Sequence, residues 1–253
     1  MIKVVIIGSG NVAQHLIKAF AKSAIIDVIQ VFSRQKEAVT SLLDSNKITN
    51  NFNDLAEADL YIIAVSDDAI AKVSSQLPFK NRLVVHTSGS VSLDALDKKN
   101  RKGSFYPLQT FSKKAYIDFS QIPIFLESEN ETDDKVLKSV AEMISEKVYK
   151  INSEQRKALH VSAVFVNNFV NHLYQIGNEI CIENKVPFEV LKPLILETAN
   201  KIMTLSPKEA QTGPAIRNDE QTIASHLDFL SDENQKNIYK TLTQSIQNNG
   251  KKL

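Results

Sequence analysis

Apolar and polar positions change their period partway along the 253-residue chain. Up to Ile151, short β-branched runs alternate with amphipathic stretches, predicting strands near 2–7, 26–32, 60–65, 82–86, 103–107, 122–127 and 147–151. Ser66 before Asp67 and Asp68 predicts a capped helix after the third run, and Ser92 with Leu93 and Leu96 predicts another. Beyond Asn152 the runs give way to spacings of three and four. Helices are predicted near 154–184, 187–204, 219–229 and 232–247, with Pro187 and Pro207 near helix starts. The fold class is therefore α/β, a doubly wound domain over 1–151 followed by an all-α C-terminal domain over 152–253, with a ligand cleft expected between them.

The first strand runs directly into Gly8-Ser9-Gly10-Asn11-Val12-Ala13, the GxGxxA spacing that opens a dinucleotide-binding Rossmann unit. Gly8 permits the tight turn, Gly10 has no Cβ to hold the backbone away from a pyrophosphate, and Ala13 lets the helix lie close on the strand. Val12, Leu16, Ala19 and Phe20 give that helix one apolar face, and its first N–H groups are free to meet phosphate.

An NAD site usually places Asp or Glu at the end of the second strand to bind the ribose hydroxyls. Here Asp27 stands at the strand entry, about 17 Å from its exit at roughly 3.3 Å per residue. The exit carries Ser33 and Arg34, with Lys36 beyond: a hydroxyl, a planar fork of donors and positive charge. NADP is accordingly expected rather than NAD. The competing reading makes Ser33 a helix cap and Arg34 a solvated charge.

Composition narrows the classes further. A formal net charge of +1 without a concentrated basic face argues against nucleic acid or an anionic membrane as partner. A single cysteine, Cys181, excludes an internal disulfide and a multi-thiolate zinc site, so no metal is expected. No run reaches the length of a membrane span and no leader precedes Ile2, so a cytoplasmic protein is expected.

Candidate chemistry lies at strand exits and in the helical half. Ala64-Val65-Ser66 and Thr87 are expected to line the cofactor, with His86 and Ser88 as candidate proton donors; turn and cap roles compete for Thr87 and Ser88, and a hydrogen-bonded structural role for His86. Tyr106 opens the segment Tyr106–Phe111, in which Gln109 and Thr110 are further polar candidates. His160, Asn167, Asn171 and Asn178 recur at seven, four and seven, a polar stripe that faces either a cleft or solvent. In the last segment Asp219 can cap a helix bearing Thr222 and His226 on one face, and Arg217 could hold a carboxylate bidentately or stand on the surface.

The ordered motifs GSGNVA, AVSDDAI, HTSG, YPLQTF and TGPAIRND resemble, over nearly the whole chain, a family of NADP-dependent oxidoreductases. That family joins a Rossmann domain, similar to deazaflavin-dependent NADP reductase, to a helical domain of unknown function. Its wider relatives are pyrroline-5-carboxylate reductase, prephenate dehydrogenase and the 6-phosphogluconate dehydrogenase group, whose C-terminal domain the helical half resembles. The resemblance implies that Asn167 or Asn168 lies near substrate and that the chain pairs as a homodimer through its helical domain. Tyr106 and Asn218 depart from the His and Gly of the family pattern, and the Lys and Asn spaced four apart in β-hydroxyacid dehydrogenases are missing.

These observations predict an NADP-dependent oxidoreductase that moves a hydride between nicotinamide and a small, carboxylated carbonyl or imine substrate. The proton would come from His86, Ser88, Tyr106 or His226, and Arg217 would orient the substrate. A non-catalytic NADP sensor that binds another protein is the alternative. A methyltransferase is disfavoured by the missing acidic residue at the second strand's end.

Overall fold

A computed structural model describes residues 1–112 and 117–250. The chain divides into two compact units, Met1–Asn167 and Asn168–Leu253.

The first unit is built on an eight-stranded sheet in the order β3-β2-β1-β4-β5-β6-β7-β8. Its strands are β1 (Ile2–Ile7), β2 (Ile26–Phe32), β3 (Ile48–Thr49), β4 (Leu60–Ile63), β5 (Leu83–His86), β6 (Arg101–Pro107), β7 (Ile124–Ser128) and β8 (Val148–Lys150). All seven predicted strands form, and β3 is an addition. Pairing is parallel from β3 through β6; β7 runs antiparallel to β6, and β8 is parallel to β7. The order reverses between β1 and β4, which makes their exits the switch point where such sheets bind ligands.

Alternation along β1 sends side chains into two cores. Val4 and Ile6 pack with Leu16 and Phe20 of α1 (Asn11–Phe20), while Val5 and Ile7 pack with Ile70 of α2 (Asp67–Ser75). Helices thus cover both faces, which is why the central strands read as unbroken apolar runs. The helix predicted from Ser92 is only a 3-10 turn, Leu93–Ala95, which Ser92 caps through Asp94 N–H. Ser66 precedes α2 without a side-chain cap bond.

After α3 (Glu131–Glu142), the helix α4 (Ser153–Ala163) begins at a capping box formed by Asn152 and Gln155. It belongs to the first compact unit, which ends at Asn167 in a π-helical turn spanning Val164–Phe169. The second unit holds α5 (Val170–Glu183), α6 (Lys192–Lys201), α7 (Glu220–Phe229) and α8 (Glu233–Gly250). Among the described residues no helix is long and apolar enough to cross a membrane.

Candidate active site

The register aligns the strand exits. Ile7 pairs with Phe32 and Ile63, and Ile63 pairs with His86, so the segments that follow β1, β2, β4 and β5 open at one level. Gly8 leaves β1 at φ +134°, a backbone conformation that side chains with a Cβ rarely adopt. A Cβ there would press into the Ala64 carbonyl, lying 2.8 Å from its carbon. At Gly10, the N-cap of α1, a Cβ would meet nothing within 4 Å, so the backbone faces open space. No side chain caps α1 and no acidic residue stands in its first turn, leaving its amides and positive dipole end to an anion. Ala13, in the first turn of α1, is fully buried, and the loop is held by Gln14 Nε2 donating to Ser9 O at 2.8 Å and Asn11 Nδ2 donating to Phe111 O at 2.7 Å.

These exits open on one cavity of about 920 Å3. Gly8, Ser9, Gly10, Asn11 and Val12 line it together with Ser33, Arg34, Ala64, Val65, Ser66 and Thr87, so the structure brings together every predicted cofactor residue except the buried Ala13. Its described lining holds two cations, Arg34 and Lys72, and no carboxylate. Arg34 is exposed and makes no ion pair or hydrogen bond to a described residue. Ser33 is buried, and its Oγ donates to Gln35 O at 2.6 Å, so its hydroxyl hydrogen is engaged and only its lone pairs remain to a ligand. Lys72 escaped the sequence reading. Its signal is the face Ala69, Lys72 and Val73 of α2, continued by its C-cap Gln76, at offsets of three, four and seven, all of which line the cavity. Another cavity, of about 680 Å3, is lined by the C-terminal half of α1 and by Asp118–Ser120, and includes no strand exit.

The proton-donor candidates separate by environment. His86 is fully buried; its Nδ1 accepts from the Ser88 N–H at 3.2 Å, and its Nε2 has no hydrogen-bond partner among the described residues. Burial first, and the nearby Arg156 cation second, push its pKa down to about 3, so it stays neutral and does not serve as an imidazolium acid near pH 7. The Ser88 Oγ accepts from the N–H groups of Ser90 and Val91, both at 3.1 Å, which is the turn role weighed against catalysis. Tyr106, 8% exposed, lies 3.0 Å from His160 Nδ1 through its hydroxyl. Burial chiefly, then the Asp67 carboxylate, raise its pKa to about 12, so it remains a phenol.

Arg156, which sequence reasoning missed, ties this region together. It is 1% exposed, pairs through Nη1 with the Glu127 carboxylate, and donates to Ser88 O at 3.1 Å and to Val91 O. Asn167 is exposed at the end of the first unit, and the π-helical turn breaks the 3.6-residue period on which a single stripe with His160, Asn171 and Asn178 depended.

Arg217 and His226 lie in the second unit, both exposed. Asp219 caps α7, accepting from Thr222 N–H at 3.1 Å and Thr222 Oγ1 at 2.8 Å, and these bonds lower its pKa. His226 Nδ1 is 2.8 Å from the Tyr239 hydroxyl of α8. Asn218, where the family resemblance expected glycine, has φ +54°, a left-handed conformation that Asn tolerates.

A glycine turn entering an uncapped helix, at the switch point of a parallel sheet and beside a cavity whose described lining has no carboxylate, defines a dinucleotide-binding Rossmann protein. A family model described as NADP oxidoreductase, coenzyme F420-dependent, matches residues 3–89, and one described as a domain of unknown function, DUF2520, matches residues 122–246. A provisionally assigned NADP oxidoreductase from Bacteroides fragilis is 39% identical, with 98% of each chain covered and a TM-score of 0.88. Pyrroline carboxylate reductase from Plasmodium falciparum, with NADP bound, shares the fold at 14% identity, 98% of each chain and a TM-score of 0.60. So does an imine reductase variant from Myxococcus stipitatus in complex with NAD+, at 15% identity, 99% of this chain and 94% of the other, and a TM-score of 0.62. A sequence comparison with curated proteins gives no match. The chain belongs to the NADP oxidoreductase family in which this Rossmann domain is joined to the DUF2520 domain.

Proposed function

We propose that the chain binds NADP(H) in preference to NAD(H) and reduces or oxidises a small carboxylated carbonyl or imine substrate. The observation that carries the cofactor preference is the cavity lining, which presents Arg34 and Lys72 and no described carboxylate. The backbone amides from Gly8 to Val12 would hold the pyrophosphate, and Arg34 the ribose 2′-phosphate. When bound, the reduced nicotinamide supplies a hydride to a substrate carbon. The substrate class draws support from Arg217, whose exposed guanidinium is suited to a carboxylate, and from the substrates in the names of the two reductases that share the fold.

Titration calorimetry tests the preference. NADPH is expected to bind more tightly than NADH, and Arg34→Ala to weaken NADPH by about 10- to 100-fold while leaving NADH nearly unchanged, as loss of a charge-assisted hydrogen bond of about 1.5–3 kcal/mol requires. Equal affinities, unmoved by the substitution, would dismiss it.

The homodimer is part of the same proposal. In the second unit Ile182, Leu194, Leu196, Met203 and Phe229 are all more than 60% exposed, and Ala215 is its one buried apolar residue among those described. Helices with so much uncovered apolar surface need a partner, and a second copy supplies the same surface in return. Light scattering should give twice the 28.3 kDa chain mass. A monomer at micromolar concentration would count against it.

A further inference from the structure

We infer that Tyr106 and His160 act as a proton-delivering pair, in which the Tyr106 hydroxyl protonates the substrate's carbonyl oxygen or imine nitrogen and His160 resupplies that hydroxyl. The inference rests on the oxidoreductase reading above and adds to it a second residue and a route for the proton.

The pair is built from three places in the chain. Tyr106 sits two residues past Ser104, which is paired with His86, so it stands beyond the level at which β5 ends and on the side of the sheet edge where ligands bind. His160 comes from α4, 54 residues later, and its ring meets the tyrosine edge to face, with centroids 6.0 Å apart and an interplanar angle of 68°. Gly89 comes from the loop after β5, two residues past the cavity-lining Thr87. A Cβ on Gly89 would lie 2.6 Å from His160 Nδ1 and 2.7 Å from Tyr106 Cζ, so this loop approaches the pair only because the residue is glycine. Arg156, four residues before His160 and so on the same face of α4, donates to Ser88 O at 3.1 Å and fixes the helix to that loop. The geometry is held from both sides.

The other candidates in this unit are less suited: His86 is buried and neutral, and the Ser88 Oγ is held in its turn by two backbone N–H groups. Tyr106 stays protonated, and His160 is half-buried, with its Nε2 making no hydrogen bond to a described residue. In a reduction, bound nicotinamide would supply a hydride to the substrate carbon, and the C=O π pair would move onto oxygen. That oxygen takes the proton from Tyr106 Oη. His160 relays the replacement: its Nδ1 hydrogen moves to Oη as its Nε2 takes a proton from solvent, which restores the phenol and leaves the ring's charge unchanged. For an imine, nitrogen replaces oxygen and the balance is unchanged.

Three variants of the full chain test this: Tyr106→Phe, His160→Asn and Gly89→Ala, with 2-oxo acids and cyclic imine carboxylates as probes and NADPH as reductant. NADPH affinity by calorimetry should stay within about threefold of wild type in all three, because none of these residues lines the dinucleotide cavity. Turnover should fall about 100-fold or more in Tyr106→Phe and at least about 10-fold in the other two, with KM nearly unchanged, the range lost with general acid catalysis. The ring nitrogens of 15N-labelled His160 give a readout that needs neither substrate nor cofactor: the Nδ1 resonance should move in Tyr106→Phe and in Gly89→Ala. A wild-type chain that binds no NADPH overturns the oxidoreductase reading itself. A chain that binds NADPH but whose His160 resonance ignores Tyr106→Phe, or whose turnover is unchanged in His160→Asn, overturns the pair alone.

Discussion

Gly8→Ala is expected to abolish dinucleotide binding and to destabilise the first unit, whereas Gly10→Ala is expected to weaken NADPH binding at little cost in stability. The two glycines stand two residues apart and meet different surroundings. At Gly8 the φ of +134° is nearly closed to alanine, which costs about 1–3 kcal/mol, and the new methyl would meet backbone that cannot rotate away. That backbone is fixed on both sides: Ala64 N–H donates to Ile7 O at 2.8 Å, and Gly8 N–H donates to Phe32 O at 2.9 Å. Relief therefore has to come from displacing β1 or β4 at the switch point, and forced overpacking of this kind costs about 1–3 kcal/mol more. Together these terms lower the melting temperature by roughly 4–24 °C in a protein of this size. At Gly10 nothing lies within 4 Å of the added methyl, so its effect falls on the ligand. Thermal denaturation and NADPH calorimetry on both variants separate the effects. Wild-type stability and affinity in Gly8→Ala would remove the glycine turn from the account of the site.

Much of this cleft was legible in the sequence, because central parallel strands covered on both faces leave an apolar run that needs no partner to be recognised. The glycine spacing marks the phosphate turn for the same local reason. What failed was nonlocal or too short. β3 contributes only Ile48 and Thr49, below the length at which alternation can be seen, and the antiparallel entry of β7 has no local signature. The Ser92 cap signal is real, but Leu93–Ala95 completes a single 3-10 turn before the chain enters β6. That α4 packs with the first compact unit is likewise nonlocal, set by contacts such as Arg156 with Ser88 O. Tyr106 was a candidate on its own, yet its partner 54 residues away is found only when β6 and α4 are placed in space. Arg156 gave no signal at all, since an arginine in the first turn of an amphipathic helix reads as solvated.

Arg156→Met is expected to destabilise the chain by about 3–5 kcal/mol, the range for removing one partner of a buried ion pair. The size follows from what the guanidinium leaves behind. Glu127 is only 16% exposed and would keep Ser153 N–H at 2.8 Å and Ser153 Oγ at 2.9 Å as donors, but lose its counter-ion. The carbonyls of Ser88 and Val91 would each lose the guanidinium donor. Lysine does not substitute, because a point charge with one reach cannot serve a carboxylate and two carbonyls that a planar fork meets together. In thermal denaturation the loss corresponds to a fall of about 6–20 °C. Adding Glu127→Gln should recover part of it, since the second change discharges the stranded carboxylate, and the coupling expected for contacting residues is about 0.5–3 kcal/mol. Activity should fall with stability in the single variant, because the loop that carries Ser88 and Gly89 is no longer bound to the helix that carries His160. His86 should stay neutral nonetheless, as burial rather than the arginine is the larger cause of its lowered pKa. An Arg156→Met chain within about 1 kcal/mol of wild type would overturn this, because the stranded Glu127 carboxylate would then cost the fold little without its counter-ion.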